Sequence, residues 1–197
     1  MLGLLSIESL KERWKEYANL KDVDKAKKMI GEHAGHLSEV EKQTLALCRI
    51  AVLNNGSALR YVRKQTPSLC MIAVTNDGGA LAYVEKQTER ICIAAVSNDG
   101  SALQFVENQT TDICAAAINE DPYALRFVEK QTPELCMLAV EGDGGALRCV
   151  KKQTPTICMK AVETTPSALQ FVKKQTVEIC RRAVTEDWAA VQYVKIY

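Results

Sequence analysis

Apolar residues follow two alternating helical patterns along most of the chain. In "ALRYVRKQTPSLCMIAVTNDGG", residues 58–79, Ala58, Leu59, Tyr61, Val62 and Gln65 share one side of a helical wheel, and Arg60, Arg63 and Lys64 lie opposite. Further on, Leu69, Cys70, Ala73 and Val74 form a second stripe. Two short helices are predicted per segment. The first opens after an Asp column (Asp77, Asp99, Asp121, Asp143, Asp187) and runs through Ala-Leu-x-aromatic-Val to Gln; the second opens after Thr and runs to the Asn/Glu-Asp-Gly turn. All five prolines fit these starts: Pro67, Pro133 and Pro155 follow the column threonine, and Pro122 and Pro166 follow Asp121 and Thr165. Proline suits the first helical position because its missing N–H would be unpaired there anyway, and Thr or Asp before it caps the free amides.

The pattern recurs every 22 residues from His36 onward, with starts at 36, 58, 80, 102, 124, 146 and 168 and a truncated eighth at Ala190. Gln43 is matched by Gln65, Gln87, Gln109, Gln131, Gln153 and Gln175. Each is followed by Thr: Thr44, Thr66, Thr88, Thr110, Thr132, Thr154 and Thr176. Cys48, Cys70, Cys92, Cys114, Cys136, Cys158 and Cys180 form a third strict column. One unit has too few apolar side chains to offset the entropy of ordering it, so neighbouring units must bury each other's faces. The expected fold is all-α, a right-handed or superhelical α-solenoid of seven two-helix repeats plus a partial eighth over residues 36–197. Residues 1–35 lie outside the period. There "SIESLKERWKEYANL" and "DVDKAKKMI" read as two amphipathic helices, with Leu10, Trp14 and Tyr17 on one face, and predict an N-terminal helical cap.

The segment "ALRFVEKQTPELCMLAV" resembles the short helical repeats of the DUF4116 type, which read Ala-Leu-x-aromatic-Ala/Val, then Val/Ile-x-x-x-Ala-Val and Gly-x-Ala-Leu. The likeness covers residues 36–197. It implies an interaction or effector role, as in proteins of host-associated bacteria and large viruses, and supplies no catalytic residues. The Cys column and the Lys-Gln-Thr run depart from that pattern.

The recurrent columns read as structure. Equivalent positions in stacked helices lie about 8–10 Å apart, too far for disulfides, which need Cα atoms within roughly 7 Å. Zinc needs ligands that converge on one centre, and no CxxC or nearby CxxxH occurs, so the cysteines are taken as small packed hydrophobes. Cys149, which replaces the aromatic residue of its column, is expected to be buried. Thr caps the second helix, and Gln turns inward to bond the adjoining turn or the next unit. His33 and His36 with Glu32 lack a further metal ligand. No catalytic set, nucleotide loop, metal site or cofactor motif is assembled, and with only two histidines the usual general base is nearly absent. An enzyme is therefore not expected.

Charge redirects attention to the surface. The net charge of +1 gives no global reason to bind nucleic acid or an anionic membrane. The N-terminus carries neither a signal-peptide pattern nor a membrane span, so a cytoplasmic setting, or a host cytosol for an effector, is the default. Residues 80–145 carry 4 basic and 11 acidic side chains, and residues 146–197 carry 9 basic and 4 acidic, which places a charge gradient along the array. The outward basic residues Arg126, Arg148, Lys151, Lys152, Lys173 and Lys174 are candidate partner contacts. Beside them stand the pairs after the cysteines, of which Met137-Leu138 and Arg181-Arg182 are the strongest candidates. The expected function is a non-enzymatic protein-binding solenoid, acting as an effector or inhibitor on a host or cellular protein along one elongated face. The alternative is nucleic-acid binding through the basic C-terminal repeats, disfavoured by the acidic middle.

Overall fold

The computed structural model describes Ile30, residues 33–40 and residues 42–195. The N-terminal cap with Leu10, Trp14 and Tyr17 therefore lies outside the described residues. The chain forms two compact units divided between Asn98 and Asp99. Six-residue 3₁₀ helices (η) alternate with ten-residue α-helices. The first unit holds η1 (Ala34–Glu39), α1 (Leu45–Asn54), η2 (Gly56–Tyr61), α2 (Pro67–Asn76), η3 (Gly78–Tyr83) and α3 (Glu89–Asn98). The second holds η4 (Gly100–Phe105), α4 (Thr111–Glu120), η5 (Pro122–Phe127), α5 (Pro133–Gly142), η6 (Gly144–Cys149), α6 (Pro155–Thr164), η7 (Pro166–Phe171), α7 (Val177–Glu186) and η8 (Trp188–Tyr193). No strand occurs among the described residues, and the chain is an all-helical array with a 22-residue period, as in a helical-repeat solenoid.

The first helix of each repeat differs from the α-helical reading. It is a 3₁₀ helix that ends at the aromatic residue, four residues before Gln. Val62, at the end of η2, is extended at φ −81° and ψ 115°, and its N–H bonds to the Leu59 carbonyl three residues back. A 3₁₀ helix turns through 120° per residue, so side chains three apart line up. Leu59 and Val62 thus share the buried line, Arg60 and Arg63 share the exposed line, and Tyr61 stands on the flank half-buried. The aromatic column is not core, a correction to the 100° wheel that placed it inside. Length supplies the physical reason for the 3₁₀ geometry: six residues at about 2.0 Å span roughly 12 Å, close to the roughly 15 Å of a ten-residue α-helix.

Caps join the two helices without a loop at one edge. Asp77 ends α2, its N–H bonding the Ala73 carbonyl, and starts η3 by accepting the Gly79 N–H on Oδ1 at 3.0 Å. At the other edge the Thr66 hydroxyl accepts the Leu69 N–H at 3.3 Å, and the later threonines repeat this. Within each unit α packs on α, η on η, and each α-helix from α1 to α7, except where the units divide, on the 3₁₀ helices before and after it in sequence. The core lies between the two rows. Ala58, Leu59 and Val62 face Leu69, Cys70, Ala73 and Val74, and no polar or charged residue is buried among the described residues. Gly144 shows how tight the join is, because an added Cβ would meet the Ala161 carbonyl and sit 2.8 Å from Thr165 Cβ.

Candidate partner-binding edge

The column glutamines lie in the turn between each 3₁₀ helix and the following α-helix, and within each unit their amides bridge consecutive repeats. In the second unit, Gln131 Nε2 donates to Leu125 O at 3.0 Å in its own repeat and to Cys149 O at 2.9 Å in the next. Its Oε1 accepts the Lys151 N–H at 2.9 Å. Gln109, Gln153 and Gln175 repeat these three bonds, and in the first unit Gln43 does so as well. Gln65 makes the two that reach the next repeat. An amide fits here because it donates and accepts at once. The cysteines belong to the same network. Each Sγ lies 3.5–3.9 Å from the Oε1 of its own repeat's Gln, as a weak S–H donor. Burial pushes the thiols of Cys48, Cys70, Cys114, Cys136, Cys158 and Cys180 up from their ordinary pKa. Cys149 is half-buried rather than buried, because the aromatic column it occupies is itself on the flank.

This turn also displays the basic side chains. Lys151 and Lys152 occupy one turn of the second unit and Lys173 and Lys174 the next, all exposed. They lie beyond the ends of η6 and η7, not on the outward face of a helix as the sequence reading had them. Lys151 Nζ donates to the Val128 and Glu129 carbonyls of the preceding turn at 3.1 and 3.2 Å. Lys173 Nζ repeats this on Val150 and Lys151 at 3.5 and 3.1 Å, and Lys195 Nζ reaches Val172 O at 3.1 Å. Lys130, Lys152 and Lys174 make no hydrogen bond or ion pair among the described residues. Lys130 and Lys195 were missed in the sequence reading. Lys130 could have been found from the position before Gln, which is also lysine at 42, 64, 86, 152 and 174.

The other candidates are not part of this strip. Arg148 stacks over the Tyr123 ring at 4.5 Å and Arg126 over Phe127 at 4.6 Å, so both guanidiniums rest on aromatic faces of the 3₁₀ row. Met137 and Leu138 are half-buried on α5. Arg182 pairs with Glu163 at 3.4 Å and Glu186 at 3.2 Å, whereas Arg181 is exposed and has no partner among the described residues. Tyr123 donates to Asp143 Oδ2 at 2.9 Å; desolvation and this bond raise its phenol. His33 and His36 meet edge to face at 5.7 Å, and Glu32 lies outside the described residues. Among the described residues no group of three or more His, Cys, Asp or Glu is placed to hold a metal ion, and no helix is long and apolar enough to cross a membrane.

The fold and this edge define a helical-repeat chain with an amide-stapled spine. In comparisons with known proteins, no family model, curated sequence or solved structure matches it.

Proposed function

We propose that this chain is a non-enzymatic protein-interaction module that takes its partner along the turn edge of the second unit. The reading rests on one observation: exposed lysines at matching positions of successive repeats, carried on backbone that the glutamine amides fix. Fixed backbone lowers the ordering cost of binding, which favours recognition by a surface that changes little on contact. The resemblance to DUF4116-type repeats supports an effector or inhibitor role, and a column of unpaired, mostly buried cysteines suits a cytosolic setting.

The competing reading is a nucleic-acid module built on the same C-terminal repeats. It is weaker because Arg126 and Arg148, the residues best suited to bases and phosphates, already stack on the chain's own rings. Affinity capture from cytosolic lysate, with nuclease and at two salt concentrations, tests both. The expected result is a discrete protein retained by the native chain and lost by the Lys152→Glu/Lys174→Glu variant. Recovery of nucleic acid alone, released as salt rises, would overturn the protein-binding reading.

A further inference from the structure

Resting on that reading, we infer that the partner segment is an extended acidic strand whose carboxylates fall at every third residue. The strip in the second unit has two lysine columns. Lys151, Lys173 and Lys195 form the inner one, with ammonium groups tied to carbonyls of the preceding turn. Lys130, Lys152 and Lys174 form the outer one, with ammonium groups that have no partner among the described residues.

Spacing selects the partner's conformation. Each lysine column advances by one repeat per step, and packed helices are about 8–10 Å apart. Three residues of extended chain cover about 10 Å at 3.2–3.4 Å each, and three of polyproline II cover about 9 Å. Acids at i, i+3 and i+6 would therefore meet successive lysines, whereas adjacent acids would crowd one step and leave the others empty. An α-helical partner could match the interval only with acids seven residues apart, and it would need an apolar strip against which to bury its own apolar face. Among the described residues, Val177 is the only large exposed apolar side chain in the turns that carry Lys151 to Lys195 and at the α-helix starts beside them. The inner lysines add preorganisation: Lys151 and Lys173 each use two of three N–H donors on the backbone, which leaves one aimed at a ligand from a side chain already held in place. Glu129, Glu134 and Glu178 flank the strip. Glu129 stands in the inner column one repeat before Lys151 and ends its basic run there, so the lysine steps run from Lys151 to Lys195 and a short segment of about nine residues fills them. Within the protein, the residue's own backbone N–H at the start of α5 and then the Thr132 hydroxyl hold the Glu134 carboxyl below its ordinary pKa, so this edge already stabilises a carboxylate.

The test uses the full chain and fluorescein-labelled twelve-residue peptides, followed by fluorescence anisotropy at low and physiological salt. One peptide repeats Glu-Pro-Ala; a second has the same composition with its four glutamates adjacent; a twelve-nucleotide oligothymidylate is the third probe. The expected result is at least tenfold tighter binding of the spaced peptide than of the block peptide. It should fall at least tenfold in Lys152→Glu/Lys174→Glu, whose circular dichroism melt stays that of the native chain. Equal affinity for the two peptides would overturn the three-residue register and leave the protein-binding reading intact. Failure of both peptides to bind at low salt would overturn the acidic-strand inference, with the lysate capture deciding the wider reading separately. Tighter binding of the oligonucleotide than of either peptide would overturn both.

Discussion

Gln153 holds Lys173 in place: its Oε1 accepts the Lys173 backbone N–H at 2.9 Å, and the ammonium at the far end of that lysine turns back onto the Lys151 carbonyl at 3.1 Å. One repeat thus fixes the backbone from which the next displays its charge. The staple and the candidate edge share the same residues, so stability and surface can be separated only by choosing substitutions that touch one of them.

Replacing Gln153 by Ala should lower stability by about 1–3 kcal/mol, because the Phe171 and Leu147 carbonyls and the Lys173 N–H each lose a part-buried partner. Gln153→Glu should cost at least as much, since a carboxylate cannot donate to two carbonyls. Urea denaturation checks both. A midpoint unchanged in Gln153→Ala would show that the staple contributes nothing.

Gly144→Ala should destabilise by about 1–3 kcal/mol through the contact of its Cβ with the Ala161 carbonyl and Thr165. Gly79→Ala serves as the control, because its Cβ would come no nearer than 3.2 Å to the Asp77 carboxylate. A thermal melt should rank the first well below the second.

Thr132→Ala should cost about 1 kcal/mol by uncapping α5, whose Leu135 N–H bonds the hydroxyl at 3.3 Å. Thr132→Ser, which keeps the hydroxyl, should recover most of that loss in the same denaturation measurement.

Alkali should destabilise the fold. The thiols of Cys48, Cys70, Cys114, Cys136, Cys158 and Cys180 keep their protons longer when folded than in the unfolded chain, where they titrate near about 8.5. The folded state therefore binds more protons, so this contribution is complete below about pH 8.5 and is lost as pH rises through the raised folded values. Urea midpoints should fall between pH 8 and pH 10, and Cys136→Ala/Cys158→Ala should make that fall shallower.

Iodoacetamide at neutral pH should label Cys149 and Cys180, both half-buried, before the buried column cysteines. Mass spectrometry of the labelled peptides against time checks the order. Uniform labelling would mean that the column opens as readily as the flank.

The sequence alone determined the repeat, its length and most of its caps; Thr165, read as the cap before Pro166, makes no cap bond, because its hydroxyl is taken by the Gly144 N–H and Asp143. Thr66 before Pro67 and Asp121 before Pro122 act through bonds two or three residues away, and strict columns can be read in one dimension. Only the tertiary structure decided that the first helix is 3₁₀, because a six-residue apolar pattern fits a 100° or a 120° wheel and the choice depends on matching the length of the α-helix beside it. Only it paired Gln131 with Cys149 and Lys151, since those bonds span 18 and 20 residues and need the next repeat in place. The basic residues show the same division. Their identities were legible, but sequence could not distinguish Arg148 on η6, stacked on Tyr123 of η5, from Lys152, exposed and without a partner among the described residues, because surface character is set by neighbours that stacking brings together.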